Sequence, residues 1–477
     1  MSPRTLAGVA TVNLEAEGAV RAECQLGRGR CGRRGARPAP CCVPASRRYG
    51  TVDGQQMRPD IADERALIPA QKDAAGETQR RGACRVLNGR QPYTQDCDQT
   101  WPGPPEPQTL ERSDLPGWTR DSTNGNVITD VFYKRPEGDS VLNFDETRYV
   151  RIQSGALALA EPLHRTLEAE LARGAKNLFF VGTGGVAFLM QPAARILQTR
   201  STFPTFVEMA AEIVNTDNAN LGPESIVIIP SVSGTTKESV AALRFAKAKG
   251  ARIIALTGHA DTPLANEAHV NFTNFVADDT SSESFYLQSL LIALSIMSIR
   301  EEIDDYSKVV AELTLLPKLL VEVKSSFEDR ATAFAEEIKD EQHHIISGAG
   351  GSWYEAWYYG MCILEEMQWI WTRPVQASDF FHGTLELVEP DTSVILFKGE
   401  DEGRSLVERV ERFAETVSKK VRVFDTKDFE LPGISDRVRA LISPALLSAA
   451  FERVSAHLEV DRDHALTTRR FYKKGDF

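Results

Sequence analysis

Cysteine and sustained apolar runs are both scarce in this sequence. Six of its seven cysteines (Cys24, Cys31, Cys41, Cys42, Cys84 and Cys97) fall in the first hundred residues, and only Cys362 lies in the rest. A body so poor in cysteine holds no disulfide framework and suits a reducing, cytoplasmic setting. The most apolar run, 290–299, is short, carries Ser295 and Ser298, and stops at Arg300. No stretch reaches the roughly 18 apolar residues a membrane helix needs. The first twelve residues are too short an apolar stretch for a secretory signal. Positive charge is also lacking: 55 Lys+Arg face 67 Asp+Glu, a net of −12. That balance excludes a dedicated nucleic-acid binder but not a small anionic substrate, because a local site can oppose the global charge.

The deficit is uneven. Residues 1–120 hold 18 basic and 14 acidic side chains, and the remainder holds 37 and 53. The first 130 residues are rich in Arg, Gly, Pro and Ala without sustained periodicity, as in GRGRCGRRGARPAPCC. Such text buries too little apolar surface to offset ordering entropy, so residues 1–140 read as a disordered tail. Six cysteines there invite a zinc reading, but no histidine precedes His164 and the spacings match no standard ligand pattern.

Beyond the tail the pattern becomes an alternation of strands and helices. Residues 144–173 carry apolar side chains at helical spacing; NLFFV (177–181), IVIIP (226–230), RIIALTG (252–258) and 270–272 read as strands. Helices are expected over 186–198, from 237 to 249 and over 284–297. The plan then repeats, with strands HHIIS (343–347), TSVILF (392–397) and KVRVF (420–424) and helices over 353–367 and 443–458. A Glu/Lys-rich helix over 307–339 joins the halves. GTGG at 182 and GAGG at 348 each sit between a strand and a helix, which suggests an internal duplication of one doubly wound α/β unit. The expected division is 141–318 and 319–477. In such sheets ligands bind beyond the carboxyl ends of the strands.

The loop SVSGTT offers Ser231, Ser233, Thr235 and Thr236 around Gly234, just before a helix. Backbone N–H groups at a helix start attract an anion, and hydroxyls add directed donors. A helix cap needs only one hydroxyl, so four favour phosphate. The loop lacks the GKS/T ending of a Walker motif, and GTGG has Ala187 where a dinucleotide fingerprint needs its third glycine. The matching loop in the second half, KGEDEGR (398–404), has three acids and repels phosphate. The second half must therefore supply something else. It offers Glu365 and Glu366 at the end of a helix, then His382 before Gly383. A carboxylate that shuttles a proton between adjacent carbons and an acid that opens a sugar ring suit aldose–ketose chemistry.

These residues resemble the tandem SIS (sugar isomerase) domain family, as in the isomerase half of glucosamine-6-phosphate synthase, over residues 142–477. That enzyme's S-x-S-G-x-T phosphate loop is matched by Ser231-Val-Ser233-Gly-Thr-Thr236, its G-T-S turn by Gly182-Thr183-Gly184, and its ligand-contacting serine by Ser281. Its catalytic Glu precedes its ring-opening His by sixteen residues, as Glu366 precedes His382, which selects Glu366 over Glu365. Its N-terminal glutaminase cysteine has no counterpart in Met1-Ser2-Pro3, and its imine-forming lysine has only Lys473 or Lys474 nearby in a different local sequence. The phrases EEMQW, DFFHGTLELVE and the closing LTTRRF are instead similar to the fructoselysine-6-phosphate deglycase branch.

The resemblance implies a flavodoxin-like fold in each half. It also implies release of glucose 6-phosphate and a free amino acid from a phosphorylated Amadori compound, without metal or organic cofactor. It further implies a homodimer in which His382 comes from the neighbouring subunit. The same Glu and His would serve another sugar-phosphate isomerase or an aminosugar-phosphate deaminase. A non-catalytic sugar-phosphate sensor would need neither, and residues 1–140 show no helix-turn-helix of the kind regulators carry. Arg373, Asp379 and Tyr354 are candidate lining groups for the departing amine.

Overall fold

The computed structural model describes residues 141–472 together with 474 and 475. The expected tail, its six cysteines and Lys473 lie outside the described residues. Two helices, α1 (Glu146–Leu157) and α2 (Ala160–Ala172), lead into β1 (Asn177–Gly182), α3 (Gly185–Leu189) and α4 (Gln191–Arg200). Then come β2 (Thr205–Met209), α5 (Ala210–Thr216), β3 (Ser225–Ser231), α6 (Lys237–Ala248), β4 (Arg252–Thr257), α7 (Pro263–Glu267), β5 (Val270–Thr273) and α8 (Ser281–Ile299). The second half runs α9 (Tyr306–Leu313), α10 (Leu316–Ile338), β6 (His343–Gly348), α11 (Gly351–Tyr358), a π-helical segment Tyr359–Glu365, β7 (Trp371–Gln376), β8 (Ser393–Lys398), α12 (Arg404–Val417), β9 (Lys420–Asp425) and α13 (Asp436–Asp461).

The first sheet has the order β2-β1-β3-β4-β5 and the second β7-β6-β8-β9, with every pair parallel. Both orders turn back on themselves beside the first strand of the half, as flavodoxin-like sheets do, which fixes a crevice at the carboxyl edge. The central strands β3 and β8 are buried along their whole length, as expected for parallel strands covered on both faces. Two strands escaped the sequence reading, β2 and β7. Both are edge strands, and β7 carries Pro374, which an edge position tolerates because one side of the strand needs no ladder partner.

Several helices differ in extent from the sequence expectation. The helix expected over 144–173 is two helices broken at residues 158–159, and the one expected over 443–458 runs from Asp436 to Asp461 through Pro444. The one expected over 353–367 starts at Gly351 and widens into π geometry after Tyr358. Helix α8, continued back to Asp278, is long and apolar enough to cross a membrane by length and composition, contrary to the expectation that no stretch qualifies. Every residue from Ser281 to Met297 is buried inside the protein, so α8 is a core helix. One hydrophobic cluster runs from Tyr149 of α1 through α8 and α10 to Leu458 of α13, so the two halves share a core.

Ionic ties reinforce that shared core. Lys324 of α10 is fully buried between Glu283 of α8 and Glu452 of α13. Arg453, also fully buried, pairs with Glu328 of α10, which accepts further bonds from Leu142 N–H and His457. Each of these charges is matched, which a dry interior requires.

Candidate functional site

The carboxyl ends of β1 and β3 lie side by side, and their loops meet. Gly182 closes β1; a Cβ there would run into the backbone of Ala187, so glycine lets α3 pack close. Gly184 takes φ +60°, ψ −140°, a conformation that only glycine adopts without strain. In the loop after β3, Gly234 N–H donates to Ser231 Oγ at 2.9 Å, and Thr235 donates its N–H and hydroxyl to Ser233 Oγ. Gly234 is left-handed at φ +64°, and a side chain there would collide with Thr262. Thr236 is the N-cap residue of α6, yet its hydroxyl makes no capping bond. Thr183 Oγ1 lies 3.3 Å from Ser239 Oγ in the first turn of α6. The structure thus brings Thr183, Ser231, Ser233 and Thr236 together at one helix start.

The second half repeats the turn and fills it. Gly350 has φ +57°, ψ −134°, within a few degrees of Gly184. Asp401, from the acidic loop after β8, accepts from Gly351 N–H at 2.6 Å and from Gly403 N–H at 2.8 Å. A Cβ on Gly350 would strike the Asp401 carboxylate, whereas a Cβ on Gly184 would meet nothing within 4 Å. Burial raises the Asp401 carboxyl above the usual Asp value, against the lowering pull of the two N–H groups.

The two halves touch at the first glycine turn. A Cβ on Gly185 would lie 2.7 Å from the Tyr358 ring and 3.1 Å from Cys362 Sγ. Phe188 stacks on Trp357 beside that contact. Ser281, at the start of α8, donates to Asp278 O at 3.2 Å, and its hydroxyl and that of Ser282 neighbour Tyr358. Burial pushes the Cys362 thiol well up, and the charge of Glu366 adds to this. Cys362 thus lies against the first glycine turn, within the helical segment that leads to Glu366.

Glu365 and Glu366 have different fates. Glu365 accepts from Thr372 N–H at 3.2 Å and from its hydroxyl at 2.6 Å, which ties it to β7. Glu366 projects into a concavity of about 380 Å³ lined also by Trp369, Trp371, Arg469 and Arg470. Arg469 Nε donates to Glu366 Oε1 at 2.9 Å. His382 ends a short 3-10 turn, Phe380–His382, and is exposed; its ring makes no hydrogen bond or ion pair among the described residues, and it does not line the Glu366 concavity. Among the described residues Glu366 and His382 share neither a hydrogen bond nor that concavity.

Other groups named from the sequence lie elsewhere. Lys474 is exposed, and its Nζ donates to the Arg469 carbonyl instead of entering the concavity. Arg373 bonds Thr384 and lines a hollow at the amino ends of the second sheet, away from the crevice. Tyr354 lines a cleft with Asp401 and Arg195, on the side filled by the acid loop. Asp379 ends the segment before the 3-10 turn, where its carbonyl accepts from His382 N–H.

Sequence reasoning missed three features. One is Arg469, quoted in LTTRRF but given no role; its partner is 103 residues away. Another is Glu355, fully buried and accepting from Tyr286 OH at 2.8 Å, whose carboxyl burial raises well above the ordinary Glu value. It borders a chamber of about 260 Å³ between α8, α11 and α13, together with Asp278, Glu283, Tyr359, Glu452 and Glu459. The third is Trp369, whose backbone is left-handed at φ +56°. Among the described residues no group of three or more His, Cys, Asp or Glu side chains is arranged to hold a metal ion.

Comparison with known proteins bears on the fold that carries these residues. Residues 172–298 match the SIS domain. The chain is 29% identical over 303 residues to a fructosamine deglycase of Bacillus subtilis, covering 63% of this chain and 92% of that protein. It is 25% identical over 311 residues to fructoselysine 6-phosphate deglycase of Escherichia coli, covering 65% and 89%. A solved structure described as a phosphosugar isomerase from Bacillus subtilis superposes with a TM-score of 0.63 at 28% identity, over 68% of this chain and 99% of that one. The C-terminal domain of glucosamine-fructose-6-phosphate aminotransferase from Francisella tularensis, at 17% identity, shares the fold with a TM-score of 0.60 over 67% and 95%.

Proposed function

Starting from an enzyme that carries an SIS domain within a two-sheet phosphosugar-isomerase fold, we propose that this chain is a sugar-phosphate deglycase. It would cleave a phosphorylated Amadori compound to glucose 6-phosphate and a free amine. The observation that carries the reading is the contact through Gly185, which sets an open anion-binding turn against the helix that presents Glu366. The names of the deglycase relatives support the substrate class.

In this reading the 6-phosphate rests on Ser231, Ser233 and Thr236, with Thr183 and Ser281 at its flank. Backbone N–H groups at the start of α6 and the hydroxyls replace the water the phosphate leaves. His382 protonates the ring oxygen, takes up the proton that the C2 hydroxyl releases as the ring opens, and then donates it to the C2 oxygen as the enaminol forms. Glu366 takes a proton from C1, which gives the 1,2-enaminol, and returns one at C2. The product is an imine at C1; water adds to it, the C1–N bond breaks, and glucose 6-phosphate and the amine leave. Each step is a proton transfer or hydration, and positioned acid–base groups are worth roughly 10²- to 10⁴-fold each. Because His382 is exposed and does not line the Glu366 concavity, a second copy would supply it, in a homodimer with shared sites. The soluble phosphorylated substrate and the free thiol of Cys362 suit the cytoplasm.

The test is a coupled assay for glucose 6-phosphate from fructoselysine 6-phosphate, with fructose 6-phosphate plus ammonia as control. Release of glucose 6-phosphate with free lysine is expected. Turnover of the control alone would instead identify an aldose–ketose isomerase or aminosugar-phosphate deaminase using the same Glu366. Mixing inactive E366Q with inactive H382N chains is expected to restore part of the activity. No recovery, with mixed dimers demonstrated, would place both groups in one chain.

A further inference from the structure

The Glu366 concavity contains a second arginine. Arg469 is committed: it donates to Glu366 and to the carbonyls of Leu466 and Thr468. Arg470 has no carboxylate partner among the described residues; its guanidinium lies over the Trp369 ring, 3.8 Å from the centroid. The platform is built with care. Trp369 holds a left-handed backbone, a strained state for an aromatic residue that persists only where the surroundings fix it. Those surroundings are present: the Trp369 ring meets His464 edge-on at 4.4 Å, and the adjacent Gln368 bonds His464 O and accepts from Arg462.

A guanidinium stacked on an aromatic face keeps its edge N–H groups free and its plane fixed, which suits bidentate capture of a carboxylate. Glu365, the other acid of this concavity, bonds Thr372 and forms no ion pair with Arg470. The neighbouring chamber is lined by acids, Asp278, Glu283, Glu355, Glu452 and Glu459 among them, and by no Lys or Arg, so it favours an anion less. An anionic end of a substrate whose reacting carbons lie at Glu366 is therefore directed toward Arg470.

We propose that Arg470, held on Trp369, binds the free carboxylate of the amino-acid portion of the substrate. The proposal rests on the deglycase reading and makes Arg470 a specificity residue. Two matched pairs test it: 6-phosphofructosyl-alanine against 6-phosphofructosyl-ethylamine, and the Nε-lysine conjugate against that of 1,5-diaminopentane. Each pair differs only by the carboxylate. For the wild type, kcat/KM is expected to favour the carboxylate member of the better pair by roughly 10- to 100-fold, the worth of one charge-assisted pair. R470M is expected to erase that ratio and R470K to leave part of it. Because the readout is a ratio within each variant, a general loss of active protein cancels. Equal efficiency within both pairs, or an unchanged ratio in R470M, overturns the inference and leaves the deglycase reading intact. Release of glucose 6-phosphate from none of the four overturns both.

Discussion

The two glycine turns, at Gly184 and at Gly350, have nearly the same backbone and opposite contents. After β6 the turn holds a carboxylate of the protein's own, Asp401, bonded to Gly351 and Gly403 N–H. After β1 the corresponding space is bordered by Thr183 and the hydroxyls of the β3 loop, and no side chain enters it. An anion nest conserves its geometry whichever anion it holds. One copy of the unit carries its anion permanently, which makes it a structural joint. The other stays open, which makes it available for a phosphate.

The largest expected effect breaks the chemistry without touching either turn. E366Q is expected to lower kcat by roughly 10³-fold while leaving the affinity for a sugar-phosphate analogue close to that of the wild type. Loss of analogue binding in step with activity would show that Glu366 holds the substrate and does not move a proton. Next come the turns themselves. The double variant S231A/T236A is expected to raise KM about tenfold or more through lost hydrogen bonds to a charged group. D401A should leave KM alone and instead lower stability in urea by about 1–3 kcal/mol, since two buried N–H groups lose their acceptor. Inorganic phosphate should then protect D401A more than it protects the wild type. If D401A raised KM as much as the loop variant, the division between the two halves would fail.

Smaller effects sharpen the same contrast. Gly350→Ala should destabilise more than Gly184→Ala: both strain the backbone, but only at Gly350 does the new Cβ meet Asp401. A thermal denaturation series of the two variants checks the order. The acid limb of stability has its own signature. Burial alone would raise Glu328, but bonds from His457 and Leu142 N–H and the charge of Arg453 outweigh it and hold the carboxyl at about 2, below its ordinary 4.5. A lowered folded value means the stabilisation is present above pH 4.5 and is lost as pH falls toward 2. E328Q should therefore flatten the loss of stability between those values; an unchanged slope would assign acid unfolding to other carboxylates. Smallest of all, E365Q should barely alter kcat/KM, because that side chain braces Thr372.

Much of this was legible in the sequence, and the rest was hidden for physical reasons. Runs such as IVIIP and TSVILF announce central parallel strands, because burial on both faces leaves no polar positions. The edge strands β2 and β7 lack that signature, and Pro374 argues against a strand wherever a ladder is continued on both sides. The hydroxyl loop was readable because its four side chains are contiguous. The acid loop was read as hostile to phosphate; that Asp401 folds back onto Gly351 could not be read, since those residues are fifty positions apart and no local pattern couples them. The sixteen-residue interval from Glu366 to His382 selects one glutamate of the pair, yet an interval that crosses a strand does not fix a distance in space. Arg469 and Arg470 carried no assigned role in LTTRRF until the fold set one on Glu366 and the other over Trp369.

The π-helical segment Tyr359–Glu365 has a consequence for how the chain tolerates changes in length. Bonds that skip five residues, such as Glu366 N–H to Met361 O, carry one residue more per turn than an α-helix does. The polypeptide therefore stores slack immediately upstream of its proposed base. Removing one residue from α11 would drag every later side chain to a new face of the helix. Removing one from Tyr359–Glu365 would instead take up the slack and rewind the segment to an ordinary α turn. Single-residue deletions scanned through 351–365 should find their most permissive stretch in the seven positions that lead to the carboxylate.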